Sequence, residues 1–201
     1  MKQRSPHTPL RGESIVAALT QLGYFQFAAV EHLDVLQQEM ATSYDTARVL
    51  TSLYEEATNA PYCFRLYDCD GEDLFEVGGL VDQLAAIQPT FDQLGVPLTW
   101  SDDHWSLDQQ RHTIVLNGKP YTAFEGDLNS PRSWALATKL FVEMVNDQLA
   151  LHRSSERVYP LLGGNDGCLV FLTPPLYELI RHHFDADEGP KEIGLWWQEL
   201  G

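Results

Sequence analysis

The chain has 201 residues, 44% of them apolar and 21% charged, and its 29 acidic against 13 basic side chains leave a net charge of −16. This composition excludes global disorder and describes a chain long enough to bury a core without disulfide or metal staples. A field of one negative sign repels nucleic acid and anionic membrane, and no apolar run approaches the roughly 20 residues that cross a bilayer.

Residues 1–12 read as a flexible basic segment followed by an amphipathic stretch rather than a signal-peptide core, so a cytoplasmic location is expected. The remainder, 13–201, reads as one domain, with a helical segment at 13–58 and a sheet-containing core at 62–201. Ile15, Leu19 and Leu22 recur at helical spacing and stop at Gly23. Val30, Leu33, Leu36 and Met40 continue the pattern, and Val49, Leu50, Leu53 and Tyr54 suggest a third helix with Asp45 as its N-cap. Asn59 and Pro61 end this segment.

Tyr62–Tyr67 has the aromatic and apolar content of a strand, and Leu80, Leu84, Ile87, Phe91 and Leu94 suggest a helix from about Gly79 to Leu94 that Pro89 is expected to kink or split. Val96–Trp100 reads as a strand and Ser101–Gln110 as an acidic loop. Thr113–Leu116 and Tyr121–Phe124 flank Asn117-Gly118, a dipeptide that tolerates the positive φ values of a tight hairpin, with Pro120 suited to an edge strand. Ser130 as N-cap and Pro131 in the first turn introduce a helix whose Trp134, Ala137, Phe141, Val145 and Leu149 predict one buried face. Strands at Arg157–Leu162 and Cys168–Leu172 enclose a glycine-rich loop, and Thr173-Pro174 opens a last helix through His183. Trp196 and Trp197, being consecutive, cannot both face one interior.

From Tyr62 onward this order gives an α+β fold: a largely antiparallel sheet with helices on one face, preceded by the helical segment. By element count it contains two βαββ units in series; an irregular arrangement without repeat symmetry fits the same order.

The densest chemical feature is Leu66–Gln110, 45 residues without Lys or Arg that hold ten carboxylates. Asp68, Asp70, Glu72, Asp73, Asp102 and Asp103 are its candidate protein-binding residues. The Asp68–Asp73 turn fails calcium-loop spacing, because aligning Gly71 with the turn glycine places Leu66 and Val77 at positions that need oxygen ligands. Gly163–Gly167 lacks the Lys-Ser or Lys-Thr of a phosphate loop, and Asp166 repels phosphate. It reads as a hairpin connection whose Asn165 and Asp166 suit a cationic or polar protein partner. His182 and His183, with Asp185, Asp187 and Glu188, are potential metal ligands, but adjacent helical histidines point about 100° apart. Cys63, Cys69 and Cys168 have neither zinc-ligand nor redox-pair spacing and are expected to be reduced, buried thiols. No cofactor or nucleophile signature occurs.

Asn117-Gly118-Lys119 with Tyr121, Trp134 with Ala137, Val145-Asn146 with Leu149, and Glu156-Arg157-Val158-Tyr159 through Gly163-Gly164-Asn165-Asp166 to Phe171-Leu172-Thr173-Pro174 resemble a group of uncharacterised bacterial proteins. The resemblance implies a bacterial cytoplasmic origin and carries over no activity. The leading functional expectation is a non-catalytic acidic module that binds a basic protein partner, in concrete form an immunity or antidote protein covering a toxin. The alternative is a small enzyme with its pocket near Gly163–Gly167 and Tyr159.

Overall fold

Helix α1 (Gly12–Gln21) begins where the Gly12 amide donates to Asp45 Oδ1 at 2.7 Å. Its first turn lies so close to α2 (Leu33–Ala47) that a Cβ on Gly12 would stand 2.1 Å from the Ala41 carbonyl oxygen. Ile15 and Leu19 of α1 and Leu36, Met40 and Tyr44 of α2 are buried together, as their spacing of three to four residues predicts. The structure, a computed structural model, describes residues 10–57, 60–161 and 167–200.

The third helix expected over 49–54 does not form. Arg48 adopts a left-handed conformation (φ 57°) that ends α2, and the chain then runs extended to make an isolated antiparallel bridge between Tyr54 and Pro61. Asp45, expected to cap that third helix, lies inside α2 and caps α1 from there. The strand expected at Tyr62–Tyr67 shortens for a related reason. Tyr62 and Phe64 exchange backbone bonds with Phe27 and Ala29 of the N-terminal segment, so regular pairing starts only at β1 (Leu66–Asp68).

Helix α3 (Gly79–Leu94) keeps its full expected length despite Pro89, and Gly78 and Gly95 bracket it in left-handed conformations. The next strand starts later than predicted. Residues 96–99 are irregular, and β2 runs Trp100–Ser106 through what the sequence presents as an acidic loop. Ser101 pairs with Val115 and His104 with Thr113, so Asp102 and Asp103 together oppose one residue in a bulge, with Asp102 at φ 54°. Strands β3 (Arg111–Leu116) and β4 (Lys119–Glu125) form the predicted hairpin; Asn117 (φ 49°) and Gly118 (φ 78°) alone make its turn, with Lys119 and Pro120 already in the edge strand.

Helix α4 (Ser133–Leu151), β5 (Arg157–Leu161), β6 (Cys168–Leu172), α5 (Pro174–His183) and α6 (Ile193–Glu199) complete the chain. The α+β class and antiparallel pairing hold, but the strands form two three-stranded sheets, ordered β2–β3–β4 and β1–β6–β5. From β1 the elements do run β-α-β-β twice. Each unit's hairpin, β2–β3 or β5–β6, pairs with the first strand of the other unit, β4 or β1 respectively, so the pairing pattern of the two sheets is equivalent after exchange.

The sheets differ in burial. In β3 only His112, Ile114 and Leu116 are buried, the alternation of a strand with one wet face. The β1–β6–β5 sheet is covered on both faces. Tyr67, Val158, Leu169 and Phe171 join the core with α3 and α4, while Leu66, Tyr159, Leu161, Val170 and Leu172 face the N-terminal helices and α5. The uninterrupted apolar run Leu169–Leu172 is the sequence signature of that double burial.

Candidate functional site

The six candidate carboxylates fall in two places, the end of β1 with the turn after it and the bulge of β2. Asp68 closes β1, and Asp70 Oδ1 accepts the Glu72 amide at 2.7 Å, turning the chain into a short 3-10 segment, Asp73–Phe75. Leu74 buries itself while Asp68, Glu72 and Asp73 stay exposed and Asp70 is partly exposed. Phe75 lies 5.7 Å from the Trp105 ring and 4.6 Å from Phe124, which brings this turn up against the β2–β3–β4 sheet that carries Asp102 and Asp103. Nine of the ten carboxylates between Leu66 and Gln110 are exposed, Asp70 being the tenth. Among the described residues none of the ten forms an ion pair with Lys or Arg; Asp103 meets His112 Nε2 at 2.5 Å, and Asp68 Oδ1 accepts the Cys168 thiol at 3.7 Å.

His112 is buried and stacks on Trp105 at 4.4 Å, so Asp103 ties the bulge to the sheet. Asp102 instead accepts the neighbouring Ser101 hydroxyl. Asn165 and Asp166, with Gly163 and Gly164, lie outside the described residues. The strands flanking that loop pair as predicted, and the Gly167 carbonyl accepts the Cys69 amide at 2.8 Å, beside the acidic turn.

Gly71 holds the turn against α4. A Cβ there would stand 2.7 Å from the Trp134 carbonyl oxygen and 3.0 Å from Thr138 Oγ1, so only glycine permits this approach. The sequence places Trp134 on the buried face two turns ahead of Phe141, and this expectation is corrected: Phe141 is 1% exposed but Trp134 is 38% exposed. Trp196 of α6 is buried. Its neighbour Trp197 carries the Arg132 guanidinium at 4.0 Å and accepts an Arg132 hydrogen bond at 2.9 Å through its carbonyl.

Several polar residues that attract attention in sequence are structural. Asn117 accepts from the Thr99 amide at 2.8 Å and donates to the Pro97 carbonyl and to Gln148 Oε1, both at 2.7 Å, which secures the irregular 96–99 segment. Asn146 donates to the Val158 carbonyl and accepts from its amide at 2.8 and 2.7 Å, fastening β5 to α4. Arg65 and Glu156, not singled out in the sequence, form a fully buried bidentate pair.

The groove between β4 and α4 tests the enzyme reading. It encloses about 430 Å³ and presents Lys119, Tyr121, Glu143 and Asp147. Lys119 donates to Asp147 at 2.6 Å, and the Tyr121 hydroxyl donates to the same carboxylate oxygen. The hydrogen bond from Lys119, then that from Tyr121, holds the Asp147 carboxyl below its usual range; the bond to Asp147 raises Lys119, while burial and then Asp147 raise Tyr121. Each donor therefore holds its proton more tightly and the carboxylate becomes a weaker base, whereas a general base effective near neutrality needs its carboxyl raised toward that pH. The cysteines are equally unpromising as nucleophiles. Burial pushes the Cys63 thiol up to about 11 and Cys69 higher still, leaving little thiolate at neutral pH. Thiol-reactive dye added to the folded protein is expected to label the partly exposed Cys168 first, with Cys63 and Cys69 reacting only on unfolding; rapid labelling of all three would contradict their burial.

Among the described residues no group of three or more His, Cys, Asp and Glu is placed to hold a metal ion, and His182 Nδ1 instead meets the Glu178 carbonyl at 2.7 Å. No described helix is long and apolar enough to cross a membrane. Compared with known proteins, the chain matches no family model, no curated protein and no solved structure.

Proposed function

We propose that this chain is a non-catalytic acidic module that binds a basic protein partner, in its most concrete form an immunity or antidote protein that covers the cationic surface of a toxin. The observation that carries this reading is that nine of the ten carboxylates of Leu66–Gln110, on the acidic turn, α3, the bulged edge strand and the turn that follows it, are exposed, and that none of the ten meets a Lys or Arg among the described residues. Such a field attracts and orients an oppositely charged protein before contact, and it acts mainly on the association rate.

Screening supplies the test. The Debye length falls from about 10 Å at 0.1 M salt to about 3 Å at 1 M. The on-rate of a basic partner recovered from the native host is expected to drop steeply across that range, and Glu72→Lys with Asp73→Lys is expected to slow capture without lowering the stability of the domain. An on-rate insensitive to salt and unchanged in the charge-reversed variant would reduce the acidic stretch to an aid to solubility.

A further inference from the structure

The first turn of α4 and the end of α6 enclose a cleft of about 240 Å³, below the roughly 300–1,000 Å³ of pockets that take drug-sized ligands. Trp134, Ala135, Trp196 and Leu200 make its lining largely apolar, and its one charged side chain is Arg132. Arg65, Arg111, Lys119, Lys139, Arg181 and Lys191 each meet a carboxylate, whereas no described carboxylate meets Arg132. Its Nη2 donates to the Trp197 carbonyl at 2.9 Å, and the Trp197 ring lies 4.0 Å from the guanidinium carbon, so the group is held in place. Its Nε is buried and has no hydrogen-bond partner among the described residues, a donor whose cost is relieved only when an acceptor arrives. The backbone beside it favours the same sign of ligand. Helix α4 begins with no side-chain cap and no acid in its first turn. The amides of Trp134 and Ala135, both cleft residues, precede the bond from the Leu136 amide to the Arg132 carbonyl that opens the helical ladder.

We propose that this cleft binds a small carboxylate with a single-ring apolar body: the carboxylate takes the remaining donors of Arg132 at the start of α4, and the ring lies among Trp134, Trp196 and Leu200. Each half of the ligand answers a different part of the lining. A carboxylate completes a guanidinium that has no other anion, through charge-assisted hydrogen bonds. A ring covers the indole of Trp134, which the core leaves 38% exposed. Neither half suffices alone. The chain's net charge of −16 repels a bare anion at long range, and an uncharged ring leaves the Arg132 Nε without a strong acceptor. The site lies apart from the six carboxylates assigned to a basic protein partner and does not rest on that reading.

The probes are benzoate, acetate and benzyl alcohol, titrated into the full chain carrying 15N-labelled tryptophan at about 0.15 M salt, where charges farther than about 8 Å are largely screened. Benzoate is expected to move the Trp134 and Trp196 indole signals saturably and to bind about tenfold tighter than either acetate or benzyl alcohol. Arg132 also fastens α6 through Trp197, so the deciding variants leave it in place. Ala135→Asp puts an acid in the first turn of α4, which the helix dipole tolerates, and supplies the lining with a carboxylate of its own. It is expected to weaken benzoate about tenfold, while Ala135→Asn, of the same size without the charge, keeps benzoate near its original affinity. Leu200→Ser should weaken benzoate and benzyl alcohol alike. Benzoate that binds no tighter than benzyl alcohol, or that responds equally to Ala135→Asp and Ala135→Asn, would overturn the carboxylate as the recognised group. Acetate as tight as benzoate would overturn the ring. The absence of any saturable indole shift up to about 10 mM benzoate would overturn the site, and none of these results bears on the acidic binder.

Discussion

Replacing Arg65 by Met is expected to cost about 3–5 kcal/mol in urea melts, because it strands a buried carboxylate. Arg65 is 0% and Glu156 2% exposed, and the guanidinium meets the two carboxylate oxygens at 2.9 and 3.0 Å. Its remaining donors go to the carbonyls of Tyr24 at 2.7 Å, Gly23 at 3.1 Å and Phe171 at 2.8 Å, so all five N–H groups are used. The Phe27 ring lies 4.2 Å beneath. One side chain thus joins the turn after α1, strand β6 and the approach to β5, three segments that no local interaction would hold together. Lysine cannot replace it, since an ammonium has no fork for Glu156 and only three donors for the five acceptors that Arg65 serves. The double variant Arg65→Met with Glu156→Leu is expected to recover a substantial part of the loss, because removing both charges also removes the desolvation penalty. A single-variant loss below about 1 kcal/mol would mean that the apolar contacts around the pair, rather than the pair, hold the N-terminal segment to the sheet.

Arg65 also marks where the sequence stops being legible. Nothing near it in the chain distinguishes it from a solvated arginine, since its partner lies 91 positions away and becomes adjacent only when β1 pairs with β6. Features with local causes could be read. Asn117-Gly118 specifies its own positive φ values, and the stretch between Gly78 and Gly95 carries helical periodicity with stops at both ends. The 49–54 segment failed because apolar spacing records which residues want burial, not the backbone that buries them; a left-handed Arg48 redirected the chain into a bridge. Asp102 and Asp103 were legible as exposed carboxylates but not as a strand, because the bulge suspends the alternation by which strands are recognised. The candidate site divides in the same way: its charge is written in composition, whereas the close approach of the acidic turn to α4 depends on the absence of a side chain at Gly71, which periodicity on α4 does not record.

Trp134 and Phe141 turn that last point into a measurement on one helix face. Phe141→Ala is expected to destabilise by about 3–5 kcal/mol, since the ring sits among residues such as Val145, Phe171 and Leu84 in the core that α3 and α4 build on the β1–β6–β5 sheet, where neighbours collapse only partly into a void. Trp134→Ala removes a larger side chain from the same stripe, yet its cost is expected to stay at or below about 1–2 kcal/mol because part of its surface already faces water. Residue size alone would order the two variants the other way, so their ranking reports burial rather than bulk. If Trp134→Ala proves as damaging as Phe141→Ala, the indole belongs to the core in solution. If Phe141→Ala costs less than about 1 kcal/mol, α4 does not seal the sheet, and the platform on which the acidic turn is mounted is lost.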